Sequence, residues 1–175
     1  STISQFKVDA LKKRLLDINP RSEIKLIYDF FTLKTIELIF SDSYDFILDG
    51  FDSAKNKALL VDICSKKKLP LILCGAAGGK RDLSKIQLRN FKRVENDKLI
   101  KNVRKDLKKY YPDHFKREYF LPCVYSSEDV AIEEQLKKNS LNCRGSIGSS
   151  GLVTASFGIH MANYILEYFL NDSTH

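Results

Sequence analysis

Short apolar runs with no polar interruption, each stopping at a glycine or an acidic loop, constrain this chain most. Residues 45–48 run into Asp49, Gly50 and Asp52, residues 70–74 run into Gly75, and residues 123–127 read as a further strand. A strand that is apolar on both faces must be covered on both faces, which is the signature of a largely parallel sheet between helices. The segments between the runs have helical spacing. Residues 54–66 carry Leu59, Leu60 and Ile63 with a lysine triplet at the C-terminal end, where cations suit the helix dipole. Residues 98–110 place Leu99, Val103 and Leu107 inward. The pattern predicts an α/β domain, Rossmann-like and doubly wound, with a mostly parallel sheet.

The remaining segments fill in that frame. Val8, Leu11, Leu15 and Ile18 predict an amphipathic helix that faces a core and ends before Pro20. Alternation in residues 23–31 predicts a strand, and 32–40 a short helix or turn. A further strand is expected at 84–91. The run NCRGSIGSSG, 142–151, reads as a flexible loop feeding a long apolar helix from Leu152. That helix holds His160, Asn163 and Glu167, so a core helix is favoured over a membrane span. No charged segment followed by an apolar stretch opens the sequence, so the cytoplasm is the default location.

Folds of this class bind ligands in the crevice beyond the strand C-termini. The candidate site is therefore formed by the loops at 49–53 and 75–80. No GxGxxG turn is present, and GAAGG at 75–79 has the wrong glycine spacing for one. The four cysteines, 64, 74, 123 and 143, show no zinc-knuckle spacing and read as free thiols. Cys64 and Cys74 sit in apolar runs as core residues, whereas Cys143 stands in the glycine-serine loop.

The net charge of +7 is concentrated in one block. Residues 80–118 hold fourteen Lys or Arg against six acids, a local +8 that leaves −1 for the rest. Such a block is either a solvated helix face or a polyanion-binding surface. Lys101, Arg104, Lys105 and Lys108 share one side of the 98–110 helix by spacing and are the candidate nucleic-acid contacts.

Several strings carry a family resemblance: FKVDALKKRLLDINP (6–20), DFILDGFDSAKNKALLVDICSKKKLPLILCGAAGGKRDLSKIQ (45–87), NDKLIKNVRKDL (96–107), CVYSSE (123–128) and CRGSIGSSGLVTASFG (143–158). Together they resemble the second half of a ThiF/MoeB/HesA-type, ubiquitin-activating-enzyme-like protein, and within that superfamily the tRNA threonylcarbamoyladenosine dehydratases. The resemblance implies a homodimeric adenylating enzyme that uses ATP and magnesium. Its implied substrate is tRNA, whose threonylcarbamoyladenosine at position 37 is closed to a cyclic form. Other branches adenylate a sulfur-carrier or ubiquitin-like protein, so a cysteine-desulfurase or sulfur-acceptor system is an alternative partner. A non-catalytic α/β binding module is the alternative outside enzymology.

The family's first strand and phosphate turn precede the helix at which this sequence opens, roughly 70 to 90 residues judged by the size of that half-fold. Residues 1–175 are thus expected to be a single ThiF-type domain without its N-terminal GxGxxG half, and inactive alone. The resemblance makes Lys7 the lysine that reaches the ATP phosphates and Asp52 the magnesium ligand. An aspartate there also suits the N-cap of the helix that follows, and both roles can hold at once. Asp49 is the weaker candidate, with a structural role. Cys143 matches a loop cysteine near the activated carboxylate, yet a cyclising dehydratase needs no enzyme thioester. Ser126 and Glu128 fall in matching segments without an assigned step.

Overall fold

The computed structural model describes residues 5–113, 120–130 and 148–172. Its contacts divide the chain into two compact units, Ser1–Ser43 and Tyr44–His175.

In the first unit, α1 (Lys7–Ile18) forms as its spacing predicts, but it buries no residue. Leu11, Leu15 and Ile18 are 56%, 48% and 81% exposed, so the expected core-facing stripe faces no core within this unit. The strand expected at 23–31 is also corrected. That segment is extended but joins no backbone ladder among the described residues, and side chains hold it instead. Tyr28 donates to Asp9 and packs edge-on against Phe6, while Lys25 pairs with Asp42 at 2.6 Å. A 3-10 turn at Leu33–Thr35 and α2 (Ile36–Ile39) match the short helix expected at 32–40.

The second unit is a four-stranded sheet in the order β1-β2-β4-β3. β1 (Ile47–Leu48), β2 (Leu71–Cys74) and β4 (Pro122–Ser126) are parallel, and β3 (Ile86–Asn90) runs antiparallel beside β4. α3 (Ala54–Lys67) is the crossover between β1 and β2, and α4 (Lys98–Tyr110) precedes β4. α5 (Gly151–Asp172) lays Val153, Phe157 and Met161 on Ile72, Ile86 and Val124. Strand alternation turns Leu71, Leu73 and Cys123 to the opposite face, and all three are buried.

Each expected strand and helix of this unit forms within two residues of its predicted ends, with one change of face. α4 buries Ile100, Val103 and Leu107 rather than Leu99. Steps of three and four residues follow the 3.6-residue turn, whereas 99, 103 and 107 drift about 40° per step. Among the described residues no helix is long and apolar enough to cross a membrane.

Candidate active site

The C-terminal ends of β1, β2 and β4 lie side by side, because Asp49 N donates to Ile72 O at 3.1 Å and Gly75 N to Val124 O at 2.8 Å. Three loops therefore converge beyond them: 49–53, 75–80 and 127–130.

The first loop carries Asp52, which is exposed and makes no hydrogen bond or ion pair among the described residues. The N-cap of α3 is its neighbour Ser53, whose hydroxyl accepts from Asn56 N at 3.4 Å. The capping role that sequence allowed for Asp52 is thus filled by Ser53, and the Asp52 carboxylate is left facing solvent at a strand C-terminus. Asp49, by contrast, is 1% exposed and pairs with the fully buried Lys57. Its Oδ2 also accepts from Cys74 N at 3.2 Å and its Oδ1 from Phe51 N at 3.3 Å. Burial pushes the Asp49 carboxyl above its ordinary range, against the pull of the Lys57 ammonium.

The second loop is built around another buried pair that sequence reasoning missed. Lys80, counted above within the basic block, is 3% exposed; its ammonium donates to Ser126 O and lies 3.7 Å from Asp97 Oδ2. Asp97 also caps α4 through Ile100 N at 2.9 Å and accepts from Ala76 N at 2.9 Å. A small cavity of about 120 Å³ lies beside this pair, lined in part by Gly78, Asn96 and Lys98. Gly79 takes a positive φ of 74°, which a side chain would disfavour. Its N–H donates to Gly148 O at 3.0 Å, tying this loop to the residues that lead into α5. In the third loop Glu128 Oε2 accepts from Arg81 N and Asp82 N at 2.8 and 2.9 Å. These backbone donors hold its carboxyl below the usual range, so Glu128 is a loop clamp.

Cys64 and Cys123 are buried and Cys74 is partly so. Burial raises their thiols, to about 12 for Cys64, to about 11 for Cys74 and well above the ordinary value for Cys123. None of the three is an activated nucleophile. Cys143 lies outside the described residues, as does most of the 142–151 loop.

Lys7 is exposed at the start of α1, in the first unit. Lys101, Lys105 and Lys108 are exposed on α4. Arg104 is not equivalent to them: its Nη1 lies 3.0, 3.1 and 2.8 Å from the carbonyls of Phe91, Lys92 and Val94, pinning the turn at 91–94. The signal for Arg104 and Lys57 was present, since each follows or precedes buried apolar positions by one residue. Spacing alone does not show where a long side chain bends.

Among the described residues no three His, Cys, Asp or Glu gather into a metal cage. A magnesium ion asks for less, one or two carboxylates with phosphate and water completing its shell. The exposed carboxylate of Asp52 fits that demand.

The model of the ThiF family matches residues 1–175. The tRNA threonylcarbamoyladenosine dehydratase of Haemophilus influenzae is 27% identical over 175 residues, covering 97% of this chain and 67% of that protein. The Bacillus subtilis protein of the same name is 29% identical, covering 98% and 69%. The crystal structure of the Escherichia coli tRNA N6-threonylcarbamoyladenosine dehydratase TcdA in complex with ATP superposes with a TM-score of 0.84 at 26% identity, over 98% of this chain and 66% of that one. The chain spans about two thirds of the length of these relatives.

Proposed function

The chain belongs to the ThiF family, and on that premise we propose that it is the larger part of an ATP-dependent tRNA threonylcarbamoyladenosine dehydratase. One observation carries the reading: the likeness to dehydratases of that name, one of them solved with ATP, runs through nearly the whole chain.

In this reading the threonine carboxylate of the modified nucleoside attacks the α-phosphorus of ATP and pyrophosphate leaves. The carbamoyl group then closes on the acyl adenylate and AMP departs, so that the net change in the nucleoside is loss of water. The protein's contribution is positioning and charge neutralisation. Lys7 supplies a compact positive charge to the phosphates. Asp52 would hold the magnesium ion, which when bound neutralises phosphate charge. The loop at 75–80 brings backbone close to the substrate, stiffened by Lys80 and Asp97. Cys143 has no necessary step.

Lys101, Lys105 and Lys108 face the tRNA, with Arg104 supporting the turn behind them. The reading includes residues 1–175 as parts of one ThiF-type domain, assembly as a homodimer, and a cytoplasmic location. It is tested by nucleoside analysis of tRNA from a strain lacking the gene. The cyclic nucleoside should disappear in favour of the open form and return on complementation, but not with Asp52→Asn. An unchanged ratio of the two forms refutes it.

A further inference from the structure

A fully buried ion pair sits directly behind the loop that carries Asp52. Lys57 is 0% and Asp49 1% exposed, and their side chains are in direct contact. Removing two charges from water is costly, and replacing such pairs by uncharged side chains of similar size is often neutral for stability. Their value here is geometric. Asp49 stands at the end of β1 and grips Phe51 N with one oxygen and Cys74 N, at the end of β2, with the other. Lys57 belongs to the first turn of α3, where its own N–H donates to Ser53 O at 2.8 Å, and its ammonium lies 5.1 Å from the centre of the Phe51 ring. Phe51 and Ser53 flank Asp52. One charge pair therefore pins the loop on both sides of the carboxylate and references it to two strand ends and a helix.

We propose that Lys57 and Asp49 are positioning residues that hold Asp52 at the place where a phosphate-bound divalent cation would meet it. The inference rests on the reading of Asp52 as the magnesium-holding residue. A carboxylate on a loop free to wander spreads over positions that a small, geometrically demanding cation does not accept.

The test uses the full-length protein without tRNA and reads binding rather than turnover: Mn²⁺ as the probe cation, titrated by electron paramagnetic resonance in the presence of ATP. In Lys57→Met/Asp49→Asn both charges go while an acceptor oxygen remains at 49. The cation concentration for half-saturation should rise tenfold or more, and the Phe51 amide should exchange its hydrogen at least tenfold faster. Lys57→Arg keeps the charge but forces a bulkier head into a site with no exposed surface, and should raise half-saturation threefold or more. If both variants bind Mn²⁺ within twofold of the parent, the positioning role is wrong. If the double variant does not fold, Lys57→Arg decides by the same threshold. Asp52→Asn is measured beside them. Should it leave Mn²⁺ binding unchanged, the magnesium reading itself has failed; should it weaken binding while the Lys57 variants do not, only the positioning role has failed.

Discussion

Gly75→Ala is expected to be among the most damaging single-methyl additions in the chain. A Cβ built at Gly75 would stand 2.5 Å from Asp97 Oδ2 and 2.9 Å from Tyr125 Cβ, where ordinary contact begins at 3.4 Å. Tyr125 is in β4, one of the two inner strands, and is 2% exposed, so it cannot retreat. Asp97 must move by about 1 Å, and the same oxygen accepts from Ala76 N and faces Lys80. Overpacking costs about 1–3 kcal/mol, and losing a hydrogen bond to a charged group about 1.5–3 kcal/mol. The sum, about 2.5–6 kcal/mol, corresponds to a fall in Tm of roughly 5–24 °C for a protein of this size. Equilibrium urea unfolding should show it. Asp97→Ser keeps an N-cap for α4 and removes the offending oxygen, so in that background Gly75→Ala should cost only about 1–2 kcal/mol, the remainder being the Tyr125 contact. An equal cost in both backgrounds, or a cost under about 0.5 kcal/mol in the parent, would refute the reasoning.

Arg104→Met should lower stability by about 1.5–3 kcal/mol through the carbonyls of 91, 92 and 94. By contrast, Lys101→Glu/Lys105→Glu/Lys108→Glu should leave stability nearly unchanged while weakening tRNA binding and flattening its salt dependence; filter binding at two salt concentrations reads the difference. The buried thiols are held above their unfolded values near about 8.5, so the stability they contribute is fully present below that pH and is lost as pH rises toward the folded values of about 12 for Cys64 and about 11 for Cys74. Between pH 8.5 and 10 each thiol should steepen the loss by up to about 1.4 kcal/mol per pH unit, and a Cys64→Ala/Cys74→Ala variant should show a flatter profile by urea unfolding. Polypeptide 1–175 contains no GxGxxG turn to cradle phosphates. Calorimetric titration with magnesium ATP should therefore give no micromolar binding, and tight binding would show that the phosphate site is built otherwise.

The strands and helices of the second unit were legible because burial there leaves a local mark. Leu71, Ile72 and Leu73 are consecutive and apolar because β2 is covered on both faces, and the residues after each such strand had to be the ligand-facing loops. Asp52 could be chosen from its place after β1, but only the structure gave its capping alternative to Ser53. Residues 23–31 alternate as a strand does, yet a strand exists only when a neighbour accepts its backbone, and no local pattern reports a neighbour. The apolar stripe of α1 has the same character: periodicity creates the stripe, and tertiary packing determines whether it is covered. What sequence could not show at all were the partners of long polar side chains. Lys57 with Asp49 and Lys80 with Asp97 join residues 8 and 17 positions apart, and Arg104 reaches back to 91–94. Local patterning records which positions lose water. Which charge a buried ammonium meets depends on how strands and helices cross in space, and that is decided only when the chain is folded.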